Sequence, residues 1–325
     1  MRKIIYLILC LMLVIISICA CDTNEEILDD NNIQISDEEA TNQYDNIIDE
    51  IPEIIVDSEE TKNSGDEEIE VSNQENIESG EKEQSESIEV SVSTLSNKVN
   101  AWGFVRQKNE ARPQFAAQYT KVLDDYEGIY AGNPEEKVIY LTFDEGYENG
   151  YTGAILDTLK EKDCPATFFV TKPYVKQNQE LVKRMIDEGH IVGNHTVNHP
   201  SMPEVTDDEK LKSEVTGLHD YVKELFGYEM EYLRPPKGEY SERTVAISKN
   251  LGYKTVLWSS AYDDWDVNKQ DRLDYAKKMI VNYVHNGCVM LLHAVSKDNT
   301  ALLGEVIDEL RAKGYVFKSL DEFEY

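Results

Sequence analysis

From Val138 onward, short apolar runs alternate with longer amphipathic stretches, and this alternation restricts the fold of the 325-residue chain more than any other feature. Seven runs have the length and composition of buried strands: VIYLTF (138–143), ATFFV (166–170), IVGN (191–194), YLRPP (232–236), KTVLWSS (254–260), CVMLLHA (288–294) and YVFKSL (315–320). Stretches of helical length lie between them, at 153–162, 179–188, 207–226, 242–251, 272–285 and 300–312. Buried strands that alternate with helices predict an α/β fold built from parallel β/α units.

Side chains capable of chemistry lie at or just beyond the carboxyl ends of five runs, and these are Asp144, His195, Arg234, Asp264 and His293. Active-site residues of β/α barrels collect at this edge, whereas an open doubly wound sheet binds its ligand at a single crevice. Five strand ends that converge on one point therefore favour a barrel-like closure. The sequence contains neither a Walker loop nor a GxGxxG string, so phosphate-cradling and dinucleotide-binding folds lose their main support.

The acidity of the chain is concentrated before this region. The net charge is −31, and residues 22–100 hold 25 Asp and Glu against three Lys. This segment has Tyr44 as its one aromatic residue, so it predicts a disordered linker over 21–95 that precedes a domain over 96–325. An apolar spot at 51–56 leaves a docking motif open as an alternative to a solvated spacer. The acidic balance argues against a nucleic acid partner and against electrostatic binding to anionic lipids.

The N-terminus predicts export from the cytoplasm. A basic start and a short apolar stretch have the pattern of a signal peptide over 1–20. The string ICAC at 18–21 resembles the bacterial lipobox, which predicts a lipid on Cys21 and an anchor at the outer face of the cell membrane or, in a spore former, in the forespore envelope. Cleavage without lipidation and an uncleaved anchor remain alternatives. Cys164 and Cys288 then remain in the folded region, where we expect small buried hydrophobes rather than a disulfide.

The HTVNH and TFDEG strings supply possible metal ligands and carboxylates. His195 and His199 are four residues apart just beyond a strand, so a tight turn would aim both imidazoles at one divalent metal. Asp144 and Glu145 are neighbours, and neighbours in a strand face opposite sides. Both can reach one site only if the strand breaks there, which Gly146 permits. One carboxylate could then take a proton from the attacking water while the other faces the metal; an acidic surface turn is the alternative.

The RPPKGEY string supplies a cation and a tight turn. Arg234 closes an apolar run and is stiffened by two prolines, so an inward orientation requires a carboxylate partner, for which Asp144 is the natural candidate. Gly238 beside Lys237 allows close approach of the backbone to a ligand, and the N–H groups there could form an oxyanion hole. Tyr240 completes the string as a candidate substrate contact.

His293 ends the most apolar run of the chain. A lone histidine on such a strand is usually a core residue. Its position at the carboxyl end, with Asp264 on the preceding unit, instead predicts a general acid oriented by a carboxylate. Trp265, which follows Asp264, is a further candidate substrate contact.

Together these strings resemble the polysaccharide deacetylases, which are carbohydrate esterase family 4 and carry the NodB homology domain. The resemblance covers about 138–320 and rests on AWGFVRQKN (101–109), YLTFDEGYENGYT (140–152), EGHIVGNHTVNHP (188–200), YLRPPKGEYSERT (232–244), LLHAVSKDN (291–299) and GYVFKSLDEF (314–323). Within the family, the flanking strings are most similar to the delta-lactam-biosynthetic de-N-acetylases of spore formers. The resemblance implies a distorted (β/α)7 barrel and a peptidoglycan substrate. It also implies a divalent metal, for which zinc is expected.

The resemblance also implies roles for individual residues: Asp144 as the base, His195 and His199 as metal ligands, Arg234 as the tether of Asp144, Asp264 as the orienter of His293, and His293 as the acid. Three positions depart from the family pattern. Glu145 stands where most members have a metal-binding Asp and the delta-lactam branch typically has Asn. Lys237 stands where many have an aromatic residue, and Ala261 stands where the fourth motif usually has its first Asp.

The leading hypothesis is a monomeric, lipid-anchored, metal-dependent enzyme that removes the N-acetyl group of N-acetylmuramic acid in glycan strands stripped of peptide. This step precedes formation of muramic delta-lactam in spore cortex. A second hypothesis keeps the chemistry but changes the substrate, to N-acetylglucosamine in peptidoglycan, chitin oligomers or acetylated xylan. A third is a catalytically silent glycan-binding lipoprotein, for which Glu145 is the main argument.

Overall fold

The computed structural model describes residues 91–325 and the backbone of residues 33 and 34. The predicted signal peptide, Cys21, the apolar spot at 51–56 and nearly all of the predicted linker therefore lie outside the described residues. Val92 already packs against the core between the principal sheet and its helices. No helix within 91–325 has the length and apolar character needed to cross a membrane.

The described strands are short except for two. In chain order they are β1 (Ile33–Gln34), β2 (Asn100–Ala101), β3 (Gly103–Val105), β4 (Gln114–Phe115), β5 (Val138–Glu145), β6 (Thr167–Val170), β7 (Ile191–Asn194), β8 (Tyr232–Leu233), β9 (Glu239–Tyr240), β10 (Lys254–Thr255), β11 (Cys288–His293) and β12 (Val316–Phe317). The principal sheet is parallel, in the order β10-β8-β7-β6-β5-β11, and β12 also pairs with β5. β3 pairs with β1 and β4, and β2 pairs with β9, in antiparallel fashion.

Helices follow most strands of the principal sheet. They are α1 (Ala117–Asp125), α2 (Thr152–Glu161), α3 (Lys172–Gln177), α4 (Gln179–Asp187), α5 (Asp208–Phe226), α6 (Glu242–Asn250), α7 (Leu273–Asn282) and α8 (Lys297–Ala312), with 3₁₀ turns at Met202–Glu204, Pro236–Gly238 and Leu320–Glu322. Local signals explain their ends. The Asp207 side chain caps α5 by accepting from the N–H of Lys210 at 2.9 Å, and Gly227 ends that helix with φ 66°.

The sheet curls until its two ends approach each other. After β10 the chain continues to Ser260, where it runs beside β11. There the N–H of Ser259 donates to the carbonyl of Val289 at 2.9 Å, and the N–H of Leu291 donates to the carbonyl of Ser260 at 2.8 Å. These bonds join the β10 side of the sheet to β11. The predicted distorted (β/α)7 barrel is confirmed.

Predicted and observed elements differ mainly at their ends. The run at 232–236 is a strand only as far as Leu233, because the following prolines cannot donate to a ladder. The run at 254–260 pairs regularly only over β10, and α8 begins at Lys297 rather than at residue 300. α1 and α3 were not predicted. α3 has six residues, too few to show a helical period, and begins at a Thr171 cap followed by Pro173.

Alternation along β5 separates two cores. Ile139, Leu141 and Phe143 belong to the core between the sheet and the helices, whereas Val138 and Tyr140 belong to the core inside the barrel. The same alternation in β11 assigns Met290 and Leu292 to the helix side and Val289 and Leu291 to the interior. Side chains at alternate positions point to opposite faces, so the last interior positions of these strands lead to the site. Both predicted buried cysteines are buried and unpaired.

Candidate active site

The carboxylate near the end of β5 forms a buried ion pair with the arginine that follows β8. Nη1 of Arg234 donates to Oδ1 of Asp144 at 2.7 Å, and Nη2 donates to Oγ1 of Thr142 at 2.9 Å. The guanidinium is fully buried, and its Cζ lies 4.2 Å from the centroid of the Phe169 ring. Burial alone would raise the pKa of Asp144, but the charge of the Arg234 guanidinium holds that pKa below its ordinary value. The predicted pair is confirmed, and Asp144 is an ionised, oriented carboxylate.

Two imidazoles lie side by side just beyond β7. Nδ1 of His195 is 2.8 Å from the carbonyl oxygen of Arg234, and Nε2 is 3.6 Å from Oδ2 of Asp144. The chain turns sharply here, with φ 70° at Thr196 and 55° at His199, and the two imidazole centroids are 4.8 Å apart. Burial lowers the pKa of both histidines, so each is neutral, the form in which histidine binds a metal.

Glu145 faces the helices instead of the barrel interior. β5 remains extended through Glu145, which pairs with Val170 of β6, so the strand does not break before Gly146. Alternation therefore turns its side chain away from that of Asp144. Glu145 is fully buried, and within 91–325 neither carboxylate oxygen has a hydrogen-bond partner. Burial, with the negative charges of Glu148 and Asp144, raises its pKa well above the ordinary value. The predicted metal ligation by Glu145 does not fit this orientation.

Replacing Glu145 by Gln is expected to stabilise the fold at neutral pH and to leave metal affinity unchanged. The pKa of this carboxyl is higher in the folded than in the unfolded protein. As the pH rises above the unfolded pKa, ionisation of the unfolded chain therefore lowers the free energy of unfolding of the wild type. Melting curves between about pH 4 and about pH 8 should show a gain for the variant that is largest at the alkaline end and narrows toward the acid end. A drop in zinc affinity of roughly 10–100-fold, measured by calorimetry, would instead return Glu145 to the metal site.

The histidine at the end of β11 is oriented by a buried carboxylate. Nδ1 of His293 is 2.8 Å from Oδ1 of Asp264, and the backbone N–H of His293 donates to Oδ2 at 2.7 Å. Asp264 is 1% exposed and also accepts from Nδ2 of Asn299 at 2.5 Å. The predicted pairing of His293 with Asp264 is confirmed. Because Nδ1 is held in this way, Nε2 is the nitrogen through which His293 can exchange a proton with a ligand.

The turn after β8 is packed against two tryptophans. Lys237 and Gly238 have φ 59° and 65°. A Cβ at Gly238 would lie 2.9 Å from the Trp258 ring and 3.2 Å from Cβ of Trp102, so this turn requires glycine. The N–H of Gly238 donates to the carbonyl of Pro235 at 3.1 Å. The turn itself uses this amide, which removes Gly238 as an oxyanion donor and leaves the Lys237 amide as the candidate.

The two aromatic substrate contacts predicted from sequence have different surroundings. Tyr240 is fully buried, and its hydroxyl donates to the carbonyl of Tyr119 at 2.8 Å, so the prediction of a substrate contact is wrong. Trp265 is half-buried beside Asp264, and Nζ of Lys269 lies 5.9 Å from the centroid of its ring. Within 91–325 the indole Nε1 has no hydrogen-bond partner. Trp265 stays a predicted substrate contact.

Three polar residues support the site, and two of them, Thr142 and Asn299, were not predicted. Thr142 and Asn299 make the contacts described above, and Oδ1 of Asn194 accepts from the N–H of Thr196 at 2.9 Å, which fixes the turn that carries the two metal-site histidines. All three lie inside the motif strings: Thr142 is two positions before Asp144, Asn194 is directly before His195, and Asn299 is six positions after His293. Only their position inside the motif strings marks them in the sequence, because amide and hydroxyl side chains are otherwise common in turns.

The two imidazoles after β7 have the surroundings of metal ligands. A histidine that binds a metal through one nitrogen usually donates from the other to a carbonyl or carboxylate. His195 does so toward the carbonyl of Arg234, which leaves Nε2 on the side of Asp144. Within 91–325 no group of three or more His, Cys, Asp or Glu side chains is arranged to hold a metal. The two neutral imidazoles, whose centroids are 4.8 Å apart, fit a cation held by His195 and His199, and the orientation of Glu145 excludes that residue.

Comparison with known proteins identifies relatives of this chain. Residues 131–256 match the family model described as "Polysaccharide deacetylase". The peptidoglycan-N-acetylmuramic acid deacetylase PdaA of Bacillus subtilis is 44% identical over 222 residues, which are 68% of this chain and 84% of that protein. A peptidoglycan-N-acetylglucosamine deacetylase of Bacillus cereus is 34% identical over 194 residues, which are 58% of this chain and 88% of that protein.

The fold is also similar to a solved structure. The structure of Bacillus subtilis PdaA, described as a family 4 carbohydrate esterase, covers 70% of this chain and 98% of its own length. The TM-score is 0.68 and the sequence identity is 42%. The family-model match, which ends at residue 256, includes Asp144, His195, His199 and Arg234.

Proposed function

This chain belongs to the polysaccharide deacetylases of carbohydrate esterase family 4, which hydrolyse N-acetyl amide bonds, and we propose that its substrate is N-acetylmuramic acid in peptidoglycan. The observation that supports amide hydrolysis is the register of β5 and β11, in which Asp144 and His293 are partners on adjacent parallel strands. Neighbouring strands are about 4.8 Å apart, so a base and an acid flank one reacting group. The similarity to an N-acetylmuramic acid deacetylase supports the choice of sugar.

Each side chain has one task in the proposed reaction. Asp144, kept ionised by Arg234, takes a proton from a water molecule, whose oxygen attacks the acetyl carbon. Nε2 of His293 gives a proton to the sugar nitrogen as the carbon–nitrogen bond breaks, and Asp264 keeps the ring in orientation. The products are acetate and a free amine at carbon 2 of the sugar.

A divalent metal, for which we propose zinc, would be held by His195 and His199 and would polarise the acetyl carbonyl as a Lewis acid. The buried carbonyl of Arg234 fixes the His195 ring, and the bond from Asn194 to Thr196 fixes the turn between the two histidines. These contacts hold the His195 ring and the turn between the two histidines in place during the reaction.

The alternative substrate is N-acetylglucosamine in peptidoglycan. The similarity to a peptidoglycan-N-acetylglucosamine deacetylase supports it, at a lower identity of 34%. A silent glycan-binding protein is the weakest alternative, because such a protein needs neither the Asp144–Arg234 pair nor the His293–Asp264 pair. Arg234, Asp144 and Asp264 are buried, and buried charges are costly to maintain without a chemical role.

The proposed biological setting is the envelope of a spore former. Deacetylation leaves an amine beside the lactyl carboxylate of peptide-free muramic acid, and these two groups can condense to the muramic delta-lactam of spore cortex. We propose a monomer outside the cytoplasm, anchored by a lipid on Cys21. The linker predicted over residues 21–95 would, as a disordered chain, give a reach of roughly 50 Å, which suits a polymer held in a wall.

Mass spectrometry of peptide-free glycan strands tests the proposal. The strands are incubated with the purified chain and a divalent metal. Loss of one acetyl group (about 42 Da) from muramic acid residues alone supports the proposal, whereas loss from glucosamine residues alone supports the alternative substrate. No loss from either sugar with zinc, cobalt or manganese would contradict deacetylation altogether.

A further inference from the structure

We propose that the ammonium group of Lys237 binds the free lactyl carboxylate of peptide-free muramic acid and so sets the preference of this site for muramic acid over glucosamine. The inference rests on the proposed function and names a specificity-determining residue for it. It concerns the side chain of Lys237 alone, whereas the candidate oxyanion donor in the same residue is its backbone amide.

The backbone beneath Lys237 is rigid. Its neighbour Gly238 is wedged against Trp258 and Trp102, and the N–H of Trp102 donates to the carbonyl of Gly238 at 2.9 Å. The N–H of Gly238 donates to Pro235 within the same turn. The backbone of Lys237, at φ 59°, is therefore held in place, and so is the direction in which its Cα–Cβ bond leaves the turn.

The turn lies directly beside the catalytic groups. It begins immediately after Arg234, whose carbonyl oxygen contacts Nδ1 of His195 and whose guanidinium holds Asp144. Lys237 is three positions after Arg234, and its own backbone amide is the candidate oxyanion donor. Its side chain therefore leaves the backbone beside the acetyl group that is attacked.

Lys237 has no carboxylate partner within the chain as described. Among residues 91–325 no Asp or Glu oxygen lies within the 4.0 Å ion-pair distance of its Nζ, although the whole chain carries 63 acidic residues against 32 basic ones. Lys269, the other lysine near the predicted substrate contacts, is paired with Asp263 and Asp266. A half-buried cation at the mouth of a site, with no internal counter-ion, is suited to an anionic group of the ligand.

The chemistry of muramic acid supplies that anion in the right place. The N-acetyl group is on carbon 2 of the sugar, and the lactyl ether is on the adjacent carbon 3. The lactyl group ends in a carboxylate only after its peptide has been removed; before that it is a neutral amide. N-acetylglucosamine has a hydroxyl at this position. One cation beside the attacked amide can thus favour peptide-free muramic acid over both peptide-bearing muramic acid and N-acetylglucosamine. The preferred substrate must then be supplied by an amide hydrolysis that removes the peptide.

The test combines a change in the enzyme with a matched change in the substrate. Peptide-free strands are compared with the same strands after carbodiimide and ammonia have converted the lactyl carboxylates to neutral amides. For the wild type, we expect kcat/KM at muramic acid to fall about tenfold on the neutral strands, mainly through KM. Lys237→Gln should show a similar loss of about tenfold on native strands and no response to amidation, and Lys237→Arg should restore the response.

Three outcomes separate the possibilities. Lys176→Gln, at an exposed lysine on α3, controls for a general loss of positive charge and should behave as the wild type. Two results would overturn the role of the side chain while the proposed function stands. In one, Lys237→Gln still prefers native to amidated strands; in the other, its activity falls by the same factor relative to the wild type on native and on amidated strands. A wild type that leaves muramic acid acetylated on both strands overturns the proposed function itself.

Discussion

Asp144→Asn is expected to lower kcat for deacetylation by roughly 10²–10⁴-fold, the range for the loss of a positioned general base. Asn has nearly the same shape and can still accept from Nη1 of Arg234, so the contact at 2.7 Å survives in the variant. What disappears is the negative charge that takes the proton from water. Turnover of peptide-free strands, followed by acetate release, measures the effect.

A matched variant separates lost chemistry from lost structure. Asp208 forms an ion pair with Arg243 at 2.6 Å, away from the site, so Asp208→Asn makes the same chemical change without touching the reaction. We expect this control to keep wild-type turnover. Circular dichroism and melting temperatures of both variants show whether the fold persists. An Asp144→Asn enzyme with kcat within about tenfold of the wild type would remove Asp144 as the base.

Residues whose roles follow from burial and charge could be predicted from the sequence. A charged arginine that closes an apolar strand requires a carboxylate, and Asp144 was available at the end of another strand. The same reasoning paired His293 with Asp264. Parallel β/α units bring strand ends together at one edge, so the convergence of these residues followed from the topology.

Other features depended on contacts that no local pattern reveals. Glu145 does not share the site because β5 extends one residue beyond Asp144. The alternation of the strand then directs the Glu145 side chain toward the helices. Tyr240 is buried because β9 pairs with β2, and its partner there is Asn100, about 140 positions earlier in the chain. Asn299 reaches Asp264 because α8 begins at Lys297, one turn earlier than the apolar pattern predicts.

Arg234→Met is expected to produce the largest loss of stability, about 3–5 kcal/mol, because it leaves the Asp144 carboxylate buried without its partner. For a domain of this size the melting temperature should fall by roughly 6–20 °C. Met replaces much of the apolar volume of the side chain, so the loss reports chiefly the missing charge and hydrogen bonds. The buried Arg243, which contacts Asp208, offers Arg243→Met as a control of similar burial outside the site.

The dependence on pH distinguishes these two arginine variants. In the wild type the pKa of Asp144 is lowered, so its contribution to stability is present above the unfolded pKa and is lost as the pH falls through the folded one. In Arg234→Met, burial is no longer offset by the guanidinium and raises this pKa. The stability deficit should therefore be greatest near neutral pH and shrink in acid, where the carboxyl is protonated in both states.

Activity should shift in the same direction, because the reaction requires ionised Asp144. The acid limb of the kcat/KM profile of Arg234→Met should move to higher pH, whereas Arg243→Met should keep the wild-type limb. An unchanged limb in Arg234→Met, together with the expected loss of stability, would mean that Arg234 supports the fold without controlling the base.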